Sequence, residues 1–352
     1  MRPFTRLLSQ RSVRKFLIPA LCVAAIAIFL QLLLGSRPPV TRDTASFQPL
    51  KTIPATAQQV KTGFYPINVY ELDLSSNTYY VDAYIWFNWK GKIDPIANLE
   101  FANAVEEWGL TQQPGYEEPQ KQPDGSLYQI IRVEGRFFQP FKLEKYPLDQ
   151  QQLGILVENS IHTAKDLVYV VDQQDSGYAD TLAVQGWTIT GWKAESLLRQ
   201  YEGRFGDRSA SLDPYSTVRY ELLIDRPLSY FIWKLLLPLV IVLVSSWGAL
   251  LLNPSYVDMR IEIPVTTLLT TVFLQQSYSF ALPEVGYLVL LDKIYALAYL
   301  LIIASLMEAI VTADWASSGK PEAYDRVRRI DRPFLVGQFL ILTIGTLILI
   351  LF

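Results

Sequence analysis

The sequence has one cysteine and one histidine in 352 residues. The lone Cys22, set inside an apolar run, excludes an intramolecular disulfide. A single Cys and a single His leave too few ligands for a zinc or haem site, and no cofactor is expected. A glycine-rich phosphate loop, a G-x-S-x-G turn and an H-E-x-x-H helix are all absent, so nothing points to an enzyme. Nor is there an excess of base. The net charge of -3 provides no basic face for nucleic acid.

What the chain does have is hydrophobicity, unevenly placed. Residues 60–227 read as a soluble domain. From Tyr230 onward, Leu235 to Val257, Ile263 to Pro283, Val285 to Thr312 and Phe334 to Phe352 each approach the ~20 residues of a membrane helix. Residues 228–352 are therefore expected to be a four-helix membrane domain in a lipid bilayer, with a short loop at 313–332. Residues 1–40 hold another apolar run, preceded by Arg2, Arg6, Arg11, Arg14 and Lys15, with no acid before Asp43. This reads as a signal peptide or signal anchor, and the length of the run and the lack of a nearby A-x-A site favour the anchor. Residues 41–59 are a linker. By the positive-inside rule the segment 60–227 lies outside the cytoplasm, and the bases Lys320, Arg326, Arg328, Arg329 and Arg332 mark the cytoplasmic loop.

The soluble segment reads as strands: "NTYYVDAYIWFNWKG", "SLYQIIRVEGRFF", "DLVYVV", "LAVQGWTITGW" and "STVRYELLID", separated by turn-forming clusters. Short strands without intervening helices predict an immunoglobulin-like β-sandwich. Tyr84, Trp86, Trp89 and Trp187 are expected in its core.

The second span is unusual. Asp258, Glu262, Thr266, Leu269, Phe273, Gln276 and Phe280 recur at spacings of three and four and share one helical face. Ile263, Leu268, Val272 and Leu274 fall elsewhere and are expected to pack against the other spans. Such a polar stripe is either buried against neighbouring helices or faces water. Two unpartnered acids one turn apart are costly in the first case, which favours a water-filled lumen. Arg260 lies off that face and reads as a structural charge. Pro264 sits early in the helix, where a missing N–H costs little.

The stretch "FFQPFKLEKYPLDQQQL" resembles the signature loop of the pentameric ligand-gated ion channels, the Cys-loop receptor superfamily, above all in its centre Tyr146-Pro147-Leu148-Asp149. Gln139 and Leu153 stand where the animal receptors carry cysteines, as in the prokaryotic members. The likeness continues through "NLEFANA", Arg226, Pro238 and "MEAIV", and "RIEIPVTTLLTT" resembles the glycine-receptor type of second helix. It covers roughly residues 60 to 352.

The resemblance implies a homopentamer of identical subunits, with a pore lined by Asp258, Glu262, Thr266, Leu269, Phe273 and Gln276. Rings of acid favour permeating cations, so anion selectivity is not inherited from the helix it resembles. It also implies a small-molecule agonist held between subunits by Phe101, Tyr201, Phe205 and Tyr215 on one side and Tyr84 and Trp86 on the other. Aromatics of this kind hold an ammonium by cation–π attraction, although Ser160 stands where a box aromatic is usual. His162 beside it is a candidate proton sensor or an ordinary loop histidine. Coupling is assigned to Asp149, Arg226 and Pro283, the first two as a charge-assisted pair. A bacterial inner membrane, with the sandwich in the periplasm, is the expected location. The alternatives are a non-conducting receptor that signals through partners, and an anion-selective channel of the same family.

Overall fold

Residues 78–89 show how the sequence makes the first unit. Along "TYYVDAYIWFNW" the odd positions Tyr79, Val81, Ala83, Ile85, Phe87 and Trp89 are all buried, while Tyr80, Tyr84, Trp86 and Asn88 turn the other way. This period of two marks a strand with one face on a core. The computed structural model describes residues 46–203, 206 and 212–351. Phe205 and the segment 1–40 lie outside the described residues.

Among the described residues, eleven strands make two sheets. One contains β1 (Ser46–Pro49), β10 (Thr188–Gln200), β11 (Tyr215–Asp225), β8 (Gln150–Asn159) and β4 (Leu99–Phe101), in that order. The other runs β5 (Thr111–Pro114), β7 (Leu127–Phe138), β3 (Thr78–Trp89), β2 (Gln58–Asp73) and β9 (Leu167–Val171), with the short β6 (Gln120–Lys121) also on β7. Among these strands, β2 with β9 is the one parallel pair. The two sheets pack as the expected sandwich. Phe64 stacks on Tyr220 at 4.9 Å between centroids, and the Tyr220 hydroxyl donates to the Thr62 carbonyl at 2.8 Å, so the buried phenol keeps a partner.

Strand parity corrects the core assignment. Trp89 is in the core, but Tyr84 is exposed and Trp86 and Trp187 are half-buried. Trp86 instead donates from Nε1 to Asp172 at 3.3 Å. The expected linker 41–59 contributes a strand of its own, β1, which pairs with β10. β2 and β8 were not foreseen. Pro66 and the charged end Glu71-Leu72-Asp73 disguise the first, and the first four residues of the second, Gln150 to Leu153, fall in the signature stretch.

Gly63 lies on β2 directly opposite Trp86. A Cβ there would stand 2.0 Å from Trp86 Cζ2. Gly63→Ala is therefore expected to displace the indole from Asp172 and to cost about 1–3 kcal/mol, as overpacking does. The check is a lowered unfolding temperature for the variant; an unchanged one would show that the indole moves freely.

The second unit consists of the segment Leu143–Asp149 and the helices after Leu228. A π-helical stretch, Tyr230–Leu236, leads into α1 (Leu237–Leu251). Pro238 has no N–H to give the carbonyl four residues back, which fits the irregular winding before it. The others are α2 (Val257–Ser279), α3 (Leu290–Ala316) and α4 (Pro321–Leu351). Tyr230–Leu251, α3 and α4 are long and apolar enough to cross a membrane. At 23 residues α2 is also long enough, about 34 Å at 1.5 Å per residue, but it is more polar.

The boundaries differ from those read by hydropathy. α1 stops at Leu251 rather than Val257, and α2 begins at Val257 and ends at Ser279. The expected loop 313–332 is mostly helix, since α3 runs to Ala316 and α4 starts at Pro321. Charged side chains carry a helix past the apolar core, so hydropathy underestimates its length. Polar contacts join the helices. Trp247 Nε1 donates to Gln338 Oε1, and the Gln338 amide donates to Ser305 Oγ at 3.0 Å, linking α1, α3 and α4.

Candidate functional site

Two opposite faces define α2. Buried against the neighbouring helices are Arg260, Pro264, Thr267, Thr271 and Tyr278. Asp258, Glu262, Thr266, Leu269, Phe273, Gln276 and Phe280 are all exposed in the single chain, Leu269 at 57% and Phe273 at 62%. The structure therefore brings every residue of the expected stripe to one open face. The packing face is a correction: it is made by small threonines and proline, whereas Val272 is exposed and Ile263, Leu268 and Leu274 are half-buried. Thr267 and Thr271 donate their hydroxyls to Pro264 and Thr267 carbonyls, at 3.0 and 2.8 Å, so they pack closely without an unpaired donor. Pro264 is also deeper in the helix than expected. Two turns in, it leaves the Arg260 carbonyl without its usual donor.

On the open face, the Thr266 hydroxyl donates to the Glu262 carbonyl at 2.9 Å and that of Thr270 to the Thr266 carbonyl at 2.9 Å. Their O–H groups are used internally, and what faces outward is oxygen lone pairs. Among the described residues, neither Asp258 nor Glu262 has an ion pair.

The far end of α2 is tied to α3 and to the segment Leu143–Asp149. The Asp292 carboxylate accepts from Tyr278 Oη at 2.6 Å, from Gln275 Nε2 at 3.4 Å and from the Val289 backbone N–H at 3.1 Å. It thus caps α3 and holds α2 at once. Tyr278 stacks on Tyr146, 6.3 Å between centroids. The N–H groups of Leu290 and Leu291 donate to the Glu144 and Tyr146 carbonyls at 2.9 and 3.1 Å. The first turn of α3 therefore finds its acceptors in the signature loop, which follows β7 and precedes β8 in the chain. Asp149 is buried in that segment, and Pro283 is half-buried in the connection after α2.

In the sandwich, the expected ligand residues fall on both sheets: Tyr84 and Trp86 on β3, Phe101 on β4, and Tyr201 and Tyr215 beside or on the paired strands β10 and β11. Phe101 is buried edge-on to Phe137. Tyr201 meets Tyr215 edge-on at 5.7 Å. Sequence reasoning missed Glu158 and Arg199. Glu158 is buried and accepts from Tyr201 Oη, from Arg199 Nη1 at 3.2 Å and from Thr217 Oγ1 at 2.9 Å. Burial, then the Glu158 contact, raises the Tyr201 phenol above its ordinary pKa. The Arg199 guanidinium lies 4.6 Å from the Tyr201 ring centroid, so this ring already carries the chain's own cation. Arg226 similarly lies 4.1 Å from the Trp187 ring. His162 donates its backbone N–H to Asn159 Oδ1 at 2.8 Å, an ordinary loop contact.

Comparison with known proteins agrees with this architecture. Over 343 residues, 92% of this chain and 91% of the relative, the chain is 26% identical to the proton-gated ion channel of Gloeobacter violaceus. Its homologues are pentameric ligand-gated ion channels.

Two animal channels share the likeness over part of their length. Identity is 25% over 201 residues with the glutamate-gated chloride channel of Drosophila melanogaster, 57% of this chain and 42% of that one. It is 22% over 204 residues with the gamma-aminobutyric acid receptor subunit beta of Lymnaea stagnalis, 57% and 39%. The matches thus span less than half of either animal channel. No protein-family model matches the chain. Relatives named as channels agree with the expectation that the chain is not an enzyme.

Proposed function

We propose that five copies of this chain form a cation-selective channel, with the exposed face of α2 lining its pore. The observation that carries this reading is the division of α2 into a buried threonine face and an open face bearing Asp258 and Glu262. An acid pair on an exposed membrane helix needs water or partners. In a five-fold ring the two acids form adjacent rings at one mouth, and the Thr266 and Thr270 lone pairs add acceptors suited to cations. The named relatives include a chloride channel, so the sign of the ion is read from this chain's own residues.

A small-molecule agonist acts on the sandwich around Tyr201 and Tyr215, with Tyr84 and Trp86 of a neighbouring copy as the opposite wall. Because Glu158 is engaged and Arg199 covers the Tyr201 ring, a ligand ammonium would have to displace the chain's own groups. The signature loop, continuous with β7 and β8 and bonded to α3, carries the signal to α2. The membrane is a bacterial inner membrane, with the sandwich in the periplasm. The basic start of α4, Arg326, Arg328, Arg329 and Arg332, supports that orientation.

The test is recording from purified protein in liposomes under a potassium chloride gradient. With Leu269→Ser added to open the pore without agonist, the channel should give single-channel currents that reverse near the potassium potential. Asp258→Asn with Glu262→Gln should move the reversal potential towards zero, a loss of selectivity of about tenfold, as expected when unit charges leave a narrow lumen. A reversal potential indifferent to both substitutions would refute the assignment, and the absence of any current would favour the non-conducting receptor.

A further inference from the structure

Between Asp258 and Glu262 stands a base that the proposed pore does not use. Arg260 is two residues from each acid, and a 100° step per residue turns it about 200° away from both. It is 2% exposed, and its Nη2 donates to Glu308 Oε2 on α3 at 3.0 Å and to Asp331 Oδ1 on α4 at 2.7 Å. Both carboxylates are themselves buried, the side chains 5% and 4% exposed. Among the described residues, Arg260 Nε and Nη1, Glu308 Oε1 and Asp331 Oδ2 have no further partner. The cluster is therefore a closed unit of one cation with two acids, joining three helices at the level of the acid mouth.

A cation in the wall at that level is a problem for a cation pore. The guanidinium lies across the width of one helix from the acids, on the order of 10 Å, and the low-dielectric wall screens it weakly. Unopposed, it would cancel much of the field of Asp258 and Glu262. From this geometry we infer that Glu308 and Asp331 are selectivity-determining residues that act from behind the pore wall. They hold Arg260 away from the lumen and neutralise it in place, so the permeating ion meets the acids alone. This rests on the cation-channel reading above. The roles are positional, since neither acid touches the ion.

A purely structural clamp and a charge-cancelling one give different signs. Glu308→Gln with Asp331→Asn leaves Arg260 as an uncompensated cation. The permeability ratio of chloride to potassium should then rise about tenfold, the effect of one unit charge at that separation. Adding Arg260→Gln removes the charge and should return the ratio towards wild type, although every ion pair of the clamp is now gone. If the double variant does not reach the membrane, Arg260→Gln alone decides. It leaves Glu308 and Asp331 without their cation and should strengthen potassium preference. Loss of selectivity in Arg260→Gln, or a triple variant as altered as the double, would overturn the inference and leave the channel reading standing. The same reversal potential in all variants of a conducting channel would do so too. A chain that passes no current even with Leu269→Ser overturns both.

Discussion

Leu269→Ser is expected to conduct without any agonist. Leu269 is the first large apolar residue above Glu262 and Thr266 on the open face of α2, and Phe273 follows one turn later. Five such leucines at a constriction give water few hydrogen-bond partners, so a closed pore stays dry at that level. Serine removes volume and supplies hydroxyls, which favours the wet state. A shift of ~1.4 kcal/mol is tenfold in an equilibrium, and five subunits act together, so the change in spontaneous opening should be tenfold or more. Standing current in liposomes, in the absence of added small molecules, checks this. The half-buried Leu268 is the control. Leu268→Ser should lower the yield of folded protein without a leak, and a leak from Leu268→Ser alone would place the lumen on the wrong side of the helix.

The second large effect is expected at Asp292, which is reached by no ion and no ligand in this account. Its carboxylate accepts from Tyr278, Gln275 and the Val289 N–H. Asp292→Ala leaves three donors without that acceptor and uncaps α3. At ~1–3 kcal/mol for a buried polar group left unpaired, the helical unit should lose about 3 kcal/mol. A loss of this size lowers a midpoint by several degrees. Asp292→Asn keeps a side-chain oxygen and should recover part of it, while Tyr278→Phe removes a single donor and should cost least. Thermal unfolding of the three variants in detergent orders them, and equal midpoints for Asp292→Ala and wild type would show that the contacts carry no load.

The two halves of the molecule were legible to different depths. Strand β3 could be found from its aromatic and branched residues, yet only its parity separates the core residue Trp89 from Tyr84 and Trp86. That signal was present in the sequence. The open face of α2 was fully legible, because spacings of three and four are a property of one helix. Its buried face was not, since threonines that satisfy their own hydroxyls pack where aliphatic residues were expected. The partners of Arg260 are 48 and 71 residues away, and no local pattern announces them. Glu158 escaped for the same reason: three donors, Arg199 on β10, Tyr201 just after it and Thr217 on β11, converge on it only after the sheet has formed. The ends of α3 and α4 were misplaced because hydropathy reports what meets lipid, whereas a helix continues wherever its backbone bonds can.

Access of water to α2 tests the central claim most directly. In a background with Cys22→Ser, single cysteines can be placed along the helix, and a charged thiol reagent applied to conducting liposomes. Cysteine at 262, 266, 269, 273 or 276 should react and block the current, while cysteine at 264, 267 or 271 should stay unmodified. Modification and block at 264, 267 and 271, with silence at the other five positions, would contradict the account.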